Sequence, residues 1–189
     1  GVLFELFWNN STDEEKEKYM NEIITFMTRY DEIMLNLSHA EITSMSPHIE
    51  AMIKNIKNKD FPNSNLYNAK LLLTLFCIFY DSKSQTVANN LGEKILNLNN
   101  GNNYIVGYDM AILLSSMSRN YIHLENFEKA QKTLNECLKI CSSVDNAKGI
   151  EAICIVYLAW IHCERGEFDK GIKLLKKAEN LISKINNIW

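Results

Sequence analysis

The sequence predicts an all-α chain of antiparallel helical hairpins, stacked side by side in a right-handed row. Three observations predict it. Apolar residues recur at spacings of three and four along nearly the whole chain, and no segment shows the alternation of a half-buried strand. Turn-formers are scarce, with 7 Gly and 2 Pro in 189 residues, too few for a sandwich or barrel of many short strands. The chain also repeats itself, with like residues returning from one helical pair to the next at a nearly constant interval. About nine helices are expected, the last six forming three hairpins.

The elements follow in order. Ser11 or Thr12 caps a first helix whose opening turn, Asp13-Glu14-Glu15, carries negative charge where the helix dipole favours it. Tyr19, Ile23, Phe26, Met27, Tyr30, Ile33 and Met34 lie on one face, and the helix is expected to end near Asn36. Ser46-Pro47 reads as an N-cap followed by proline at the first helical position. The helix it starts carries Ile49, Met52, Ile53 and Ile56 on one face and ends near Lys59, before Pro62 breaks the chain.

From Asn65 onward the helices come in pairs. They are expected over about 66–80 and 86–98, 108–123 and 127–142, and 148–165 and 168–185. The links inside pairs are short and those between pairs are polar, rich in Asn and Gly. Short links force antiparallel neighbours. The step that takes Leu114 to Ile155 also takes Met117 to Leu158, Tyr121 to His162, Phe127 to Phe168, Leu134 to Leu175 and Ile140 to Leu181. It takes the small residues Ala130 to Gly171 and Cys137 to Ala178. A step backward, one residue longer, takes Leu114 to Leu72, Met117 to Leu75, Tyr121 to Phe79, Ala130 to Ala88 and Leu138 to Leu96. Residues 1–60 are read as a helical region outside the repeat, and 61–189 as three hairpins.

The third unit reads Leu158-Ala159, Gly166-Glu167-Phe168, Gly171 and Ala178; the second reads Met117-Ser118, Tyr121, Glu125-Asn126-Phe127, Ala130 and Cys137. An aliphatic and a small residue in helix A, an aromatic after the turn, and two small residues seven apart in helix B resemble the tetratricopeptide repeat (TPR). The resemblance covers residues 104–185 well and 65–98 loosely. The unit is longer than the usual repeat of about 34 residues. It also has Ser118 and Ala159 at the helix-A glycine position and lacks the turn glycine of the second unit. Longer repeats of this kind resemble the peptide-binding domains of bacterial Rap, Rgg and PlcR-type quorum-sensing regulators. There, a DNA-binding or effector domain precedes the repeats. The 23 Asn residues suggest an AT-rich genome, which fits such a source.

Several function classes are excluded or disfavoured. Twenty-three acidic against 20 basic residues give a net charge of −3, so no basic surface for nucleic acid is expected in this stretch. Five cysteines without a CxxC, all within apolar helical patterns, suit a reduced, cytoplasmic protein. Cys137 and Cys141 face one way on a helix, but tetrahedral zinc needs more ligands and no His follows at finger spacing, so no metal or cofactor is expected. The strongly apolar uncharged runs, Leu71–Tyr80 and Ala152–Cys163, are shorter than the ~18–20 residues that span a bilayer. The N-terminus lacks the basic region of a signal peptide. It also lacks an initiator Met, and the chain is expected to be a fragment whose output domain lies upstream. No Walker, GxGxxG, HExxH or GxSxG motif occurs. His39, His48, His123 and His162 are scattered, with His123 and His162 suited to helix C-termini rather than to catalysis. The chain is expected not to be an enzyme.

The TPR resemblance implies a binding surface on the A helices. It comprises Lys70, Leu73, Thr74 and Cys77 from the first unit, Ile112, Ser115, Ser116 and Arg119 from the second, and Ile153, Val156, Tyr157 and Trp160 from the third. The expected ligand is a short peptide or a protein segment. Arg119 and Lys70 would meet carboxylates or carbonyls, Tyr157 and Trp160 would supply rigid aromatic area, and Ile112, Ile153 and Val156 an apolar pocket. The competing reading makes Tyr157 and Trp160 core residues and Arg119 the partner of a surface acid. Helix 150–163 is apolar nearly all round and must be covered on more than one side. The apolar ends, Val2, Leu3, Phe4, Leu6, Phe7 and Trp8 at one and Ile185, Ile188 and Trp189 at the other, suggest a homodimer through one of them. The function expected is the ligand-sensing repeat region of a peptide-responsive transcription regulator. The alternatives are a general repeat adaptor, or a helical accessory domain of an enzyme.

Overall fold

The computed structural model describes residues 9–28, 44, 46–57, 63–81 and 85–186. Eight α-helices run through the described residues, and no strand occurs among them. They are α1 (Asp13–Thr28), α2 (Ser46–Lys57), α3 (Ser64–Asp81), α4 (Gln85–Asn99), α5 (Gly107–His123), α6 (Phe127–Cys141), α7 (Lys148–Glu164) and α8 (Phe168–Asn186). A 3₁₀ turn, Asp145–Ala147, joins α6 to α7. The expected extension of the first helix to Asn36, the terminal apolar residues Val2 to Trp8, Ile188 and Trp189, and His39, Lys59 and Pro62 lie outside the described residues. The chain divides into two compact units, Gly1–Tyr104 and Ile105–Trp189.

In the first unit, α1 starts with a reciprocal cap. The Thr12 backbone N–H donates to Glu15 Oε2 at 2.7 Å, and the Glu15 N–H donates to Thr12 Oγ1 at 3.2 Å. This cap holds the Glu15 carboxyl below its usual pKa. Helix α3 is the hub, with α1, α2 and α4 packed around it. That explains an apolar pattern that wraps most of its surface: Tyr67, Ala69, Leu71, Leu72, Leu75, Phe76 and Ile78 are all buried. Tyr67 ties α3 to α1, its hydroxyl donating to Asn21 Oδ1 at 3.2 Å. The expected boundary near residue 60 thus falls inside this unit. Helices α1 and α2 pack on α3, so α3 and α4 share a unit with the elements before them.

The second unit is two hairpins, α5–α6 and α7–α8, with α7 also packed on α5 and α6. Every helix boundary here falls within one or two residues of the sequence expectation. Both hairpin turns are built alike, at matching positions of the repeat. After α5, the N–H of Asn126 donates to the Tyr121 carbonyl and that of Glu125 to Ile122; after α7, the N–H of Glu167 donates to His162 and that of Gly166 to Cys163. This is the double C-terminal bond of a helix that ends in a left-handed residue. Gly166 takes that conformation with φ 75°, and Glu125 takes it with φ 56°. The missing turn glycine is therefore replaced by a strained glutamate, with no change of turn. Asn126 then caps α6 by accepting from the Lys129 N–H.

Small residues set the helix separation. Ser118, Ala130, Cys137, Ala159 and Ala178 are buried, and Gly171 is buried with them. Ser118 returns its hydroxyl to the Leu114 carbonyl at 2.7 Å, so a polar residue sits in the core without an open donor. Larger residues, Leu113, Met117, Leu134 and Ile155, are buried in the core with them.

Left-handed conformation costs a non-glycine residue about 1–2 kcal/mol. Glu125→Gly should therefore raise stability by about 1 kcal/mol in urea unfolding, and Gly166→Ala should lower it by about as much.

Candidate functional site

The positions expected to bind a ligand recur by register. Ile112, Ser115, Ser116 and Arg119 on α5 correspond one to one with Ile153, Val156, Tyr157 and Trp160 on α7. Helices α5 and α7 are the A helices of neighbouring hairpins and touch one another. Arg119 and Ile153 are exposed; Ile112, Ser116, Val156, Tyr157 and Trp160 are half-buried. Ser115 is buried, and its hydroxyl donates to the Ile112 carbonyl at 3.0 Å. Helix α7 is covered on its sides by α5, α6 and α8, which bury Ile150, Cys154, Ile155, Ala159 and Ile161. The side carrying Ile153, Val156, Tyr157 and Trp160 remains partly open. Lys70, Leu73, Thr74 and Cys77 lie on α3 of the first unit, all half-buried, with the Thr74 hydroxyl donating to the Lys70 carbonyl at 3.2 Å.

Trp160 is fixed from two directions. Its Nε1–H donates to Glu164 Oε1 at 2.8 Å, one turn further along α7. Its ring meets the His123 ring edge-on, with centroids 5.3 Å apart. His123 stands one turn after Arg119 on α5, so the indole lies beside the stretch of α5 that carries the arginine. His123 and Glu164 fall outside the set expected from sequence. Glu164 is legible as an acid at i+4 from a tryptophan; the His123 contact joins residues on different helices and depends on the packing of α5 on α7.

The histidines sit where the dipole reading puts them. His123 and His162 occupy the last turns of α5 and α7. His162 pairs through Nδ1 with Glu167, which also accepts from Lys170 at 3.2 Å. The hydrogen bond from His162, with that from Lys170, holds the Glu167 carboxyl below its usual pKa.

Three cysteines gather between α5, α6 and α7. Cys154 Sγ donates to Cys137 Sγ at 3.4 Å, Cys141 Sγ lies 4.0 Å from Cys137 Sγ, and Cys137 reaches the Ala111 carbonyl at 3.2 Å. All three are buried free thiols. Contact with Cys154 and burial push the Cys137 thiol far up, and burial with Cys137 nearby pushes Cys141 up to about 12. Among the described residues no three His, Cys, Asp or Glu side chains are arranged to hold a metal ion. These thiols act as small apolar groups that fill the contact between repeats. No described helix is long and apolar enough to cross a membrane.

With this geometry in place, comparison with known proteins decides the character of the second unit. Residues 109–184 match the tetratricopeptide repeat family model. This stretch is a pair of TPR-like helical repeats. The match runs from the first turn of α5 to the end of α8 and supports a protein-interaction scaffold. No curated protein and no solved structure matches the chain.

The thiol cluster yields a pH prediction. An unfolded thiol ionises near 9, and the folded state favours the neutral form of Cys137 and Cys141. The contribution of Cys141 to stability is therefore complete below pH 9 and is lost as pH rises toward 12, and Cys137 shifts stability in the same direction above pH 9. Alkylation at about pH 8 followed by peptide mass mapping should label Cys77 and Cys163, which are half-buried, and reach Cys137, Cys141 and Cys154 only after unfolding.

Proposed function

We propose that the second unit binds an extended peptide or protein segment along the face made by α5 and α7. The observation that most supports this is the fixed indole of Trp160, half-buried and held by Glu164 and His123 on the partly open side of α7. A large aromatic side chain held in place before the ligand arrives avoids part of the ordering cost of binding, and such residues dominate interface energetics. Tyr157 adds a second aromatic beside it. Arg119, at the equivalent position of α5, offers a planar fork to a carboxylate or a backbone carbonyl. Ile112, Ile153 and Val156 receive an apolar side chain of the ligand, with Ser115 and Ser116 between them. Lys70, Leu73, Thr74 and Cys77 hold the same register on α3 and serve a ligand of that unit in the same way.

On the finer reading the chain is the ligand-sensing region of a cytoplasmic, peptide-responsive transcription regulator of the Rap, Rgg or PlcR type. A repeat longer than the usual TPR unit supports it. A general adaptor that binds a protein segment is the second reading, favoured by the TPR match over residues 109–184. Both use the same face and neither needs catalysis.

The test starts from short peptides selected on the immobilised full chain from a random library. In calorimetric titration of a selected peptide, Arg119→Ala should lose about 1.5–3 kcal/mol of affinity, the scale of a charged hydrogen bond. The far-UV spectrum should not change, since an exposed arginine contributes little stability. Equal affinity for a folded Arg119→Ala chain would move the site away from α5.

A further inference from the structure

Helix α8 carries an apolar stripe that the described residues leave uncovered. Phe168 is 62% exposed, Ile172 50%, Leu175 44% and Ile182 43%. With Glu179, also exposed, they run at spacings of 4, 3, 4 and 3 along one side of the helix. The flank beside them, with Gly171 and Ala178, is buried against α7. The repeat register shows what such a stripe is for. One repeat back, Phe168, Ile172, Leu175, Glu179 and Ile182 fall on Phe127, Gln131, Leu134, Leu138 and Cys141 of α6. There Leu134 and Cys141 are fully buried, and α7 packs on α6. Helix α7 follows α6 through a short link and runs antiparallel to it. The stripe on α8 is therefore the place where this fold lays down an antiparallel helix.

We propose that the helix occupying it is α8 of a second copy of the chain. The charges favour this over a foreign helix. One acid, Glu179, interrupts the stripe, where α6 has Leu138. One base, Lys176, flanks it. The remaining lysines of α8, Lys170, Lys173, Lys177 and Lys184, lie around the far side of the helix by the 3.6-residue period, away from the contact. In an antiparallel pair related by a two-fold axis near residue 177, Ile172 meets the partner's Ile182. Leu175 meets the aliphatic stem of the partner's Glu179, whose carboxylate reaches the edge of the facing helix beside Lys176. The same contact is made twice, as a two-fold interface requires. A foreign helix would need its own base opposite Glu179; a second copy already carries one. A single helix pair is smaller than a standard stable interface, so association in the micromolar range is expected.

Sedimentation equilibrium on the full chain tests this. A reversible species of twice the 21.8 kDa protomer mass should grow in as the concentration is raised from about 5 to 200 μM. Ile172→Asp should abolish it, with the far-UV spectrum unchanged because the position is exposed. Glu179→Lys should weaken dimerisation by about tenfold through like charges at the axis, and Lys176→Glu added to it should restore most of the loss. A chain that stays monomeric over this range would overturn the proposal. So would a dimer indifferent to Ile172→Asp, or a Glu179→Lys defect that Lys176→Glu fails to repair.

Discussion

The second unit depends on how closely α7 and α8 approach each other. A Cβ built on Gly171 would lie 2.6 Å from Cys163 Sγ and 3.2 Å from the Ala159 carbonyl oxygen. No real Cβ occupies the first of these positions without displacing its neighbour. Gly171 is the fourth residue of α8, and glycine within a helix costs up to about 1 kcal/mol relative to alanine, so its presence here reflects packing rather than helix formation. Ala159 on the facing helix and Ala178 two turns on keep the same contact narrow. Ala130 and Cys137, at the corresponding positions of α6, are both fully buried.

Once the hairpins close at this distance, the rest follows. The A helices α5 and α7 are drawn together, which brings His123 against Trp160 and stacks the candidate binding positions at matching heights. The thiols of Cys137, Cys141 and Cys154 fill the small volume left between α6 and α7, where a larger side chain would push the repeats apart. Arg165 reaches from the turn after α7 to Gln131 Oε1 at 2.9 Å, tying the second turn to α6. The packing that defines the repeat thus also orients the face proposed to bind a segment, and it leaves the stripe of α8 uncovered among the described residues.

Much of this fold was legible in the sequence, because a repeat samples the same packing environment twice. Met117 and Leu158, Leu134 and Leu175, and Ala130 and Gly171 pair by register alone, and the helix limits of α5 to α8 follow within a residue or two. The turn after α5 was harder, since Glu125 stands where glycine is usual, and only its φ reveals it. The first unit was less legible. Helix α3 carries apolar residues on most of its surface, a pattern that a repeat hairpin and a central hub share, and the packing of α1 and α2 on it decides for the hub. At the candidate site, register gave the positions on α5 and α7 but not their availability. Ser115 turns its hydroxyl into its own helix, and Trp160 owes its fixed position partly to His123, which is distant in sequence.

If a small residue at position 171 sets the separation of α7 and α8, Gly171→Leu will show it in urea unfolding. Helix propensity and packing predict opposite signs. Leucine is the better helix former by roughly 1 kcal/mol, whereas overpacking costs typically about 1–3 kcal/mol or more. Control of the separation by packing gives a lower unfolding midpoint with an unchanged slope. A midpoint raised by an amount near the propensity gain would contradict it, because the contact between the helices would then have room to spare.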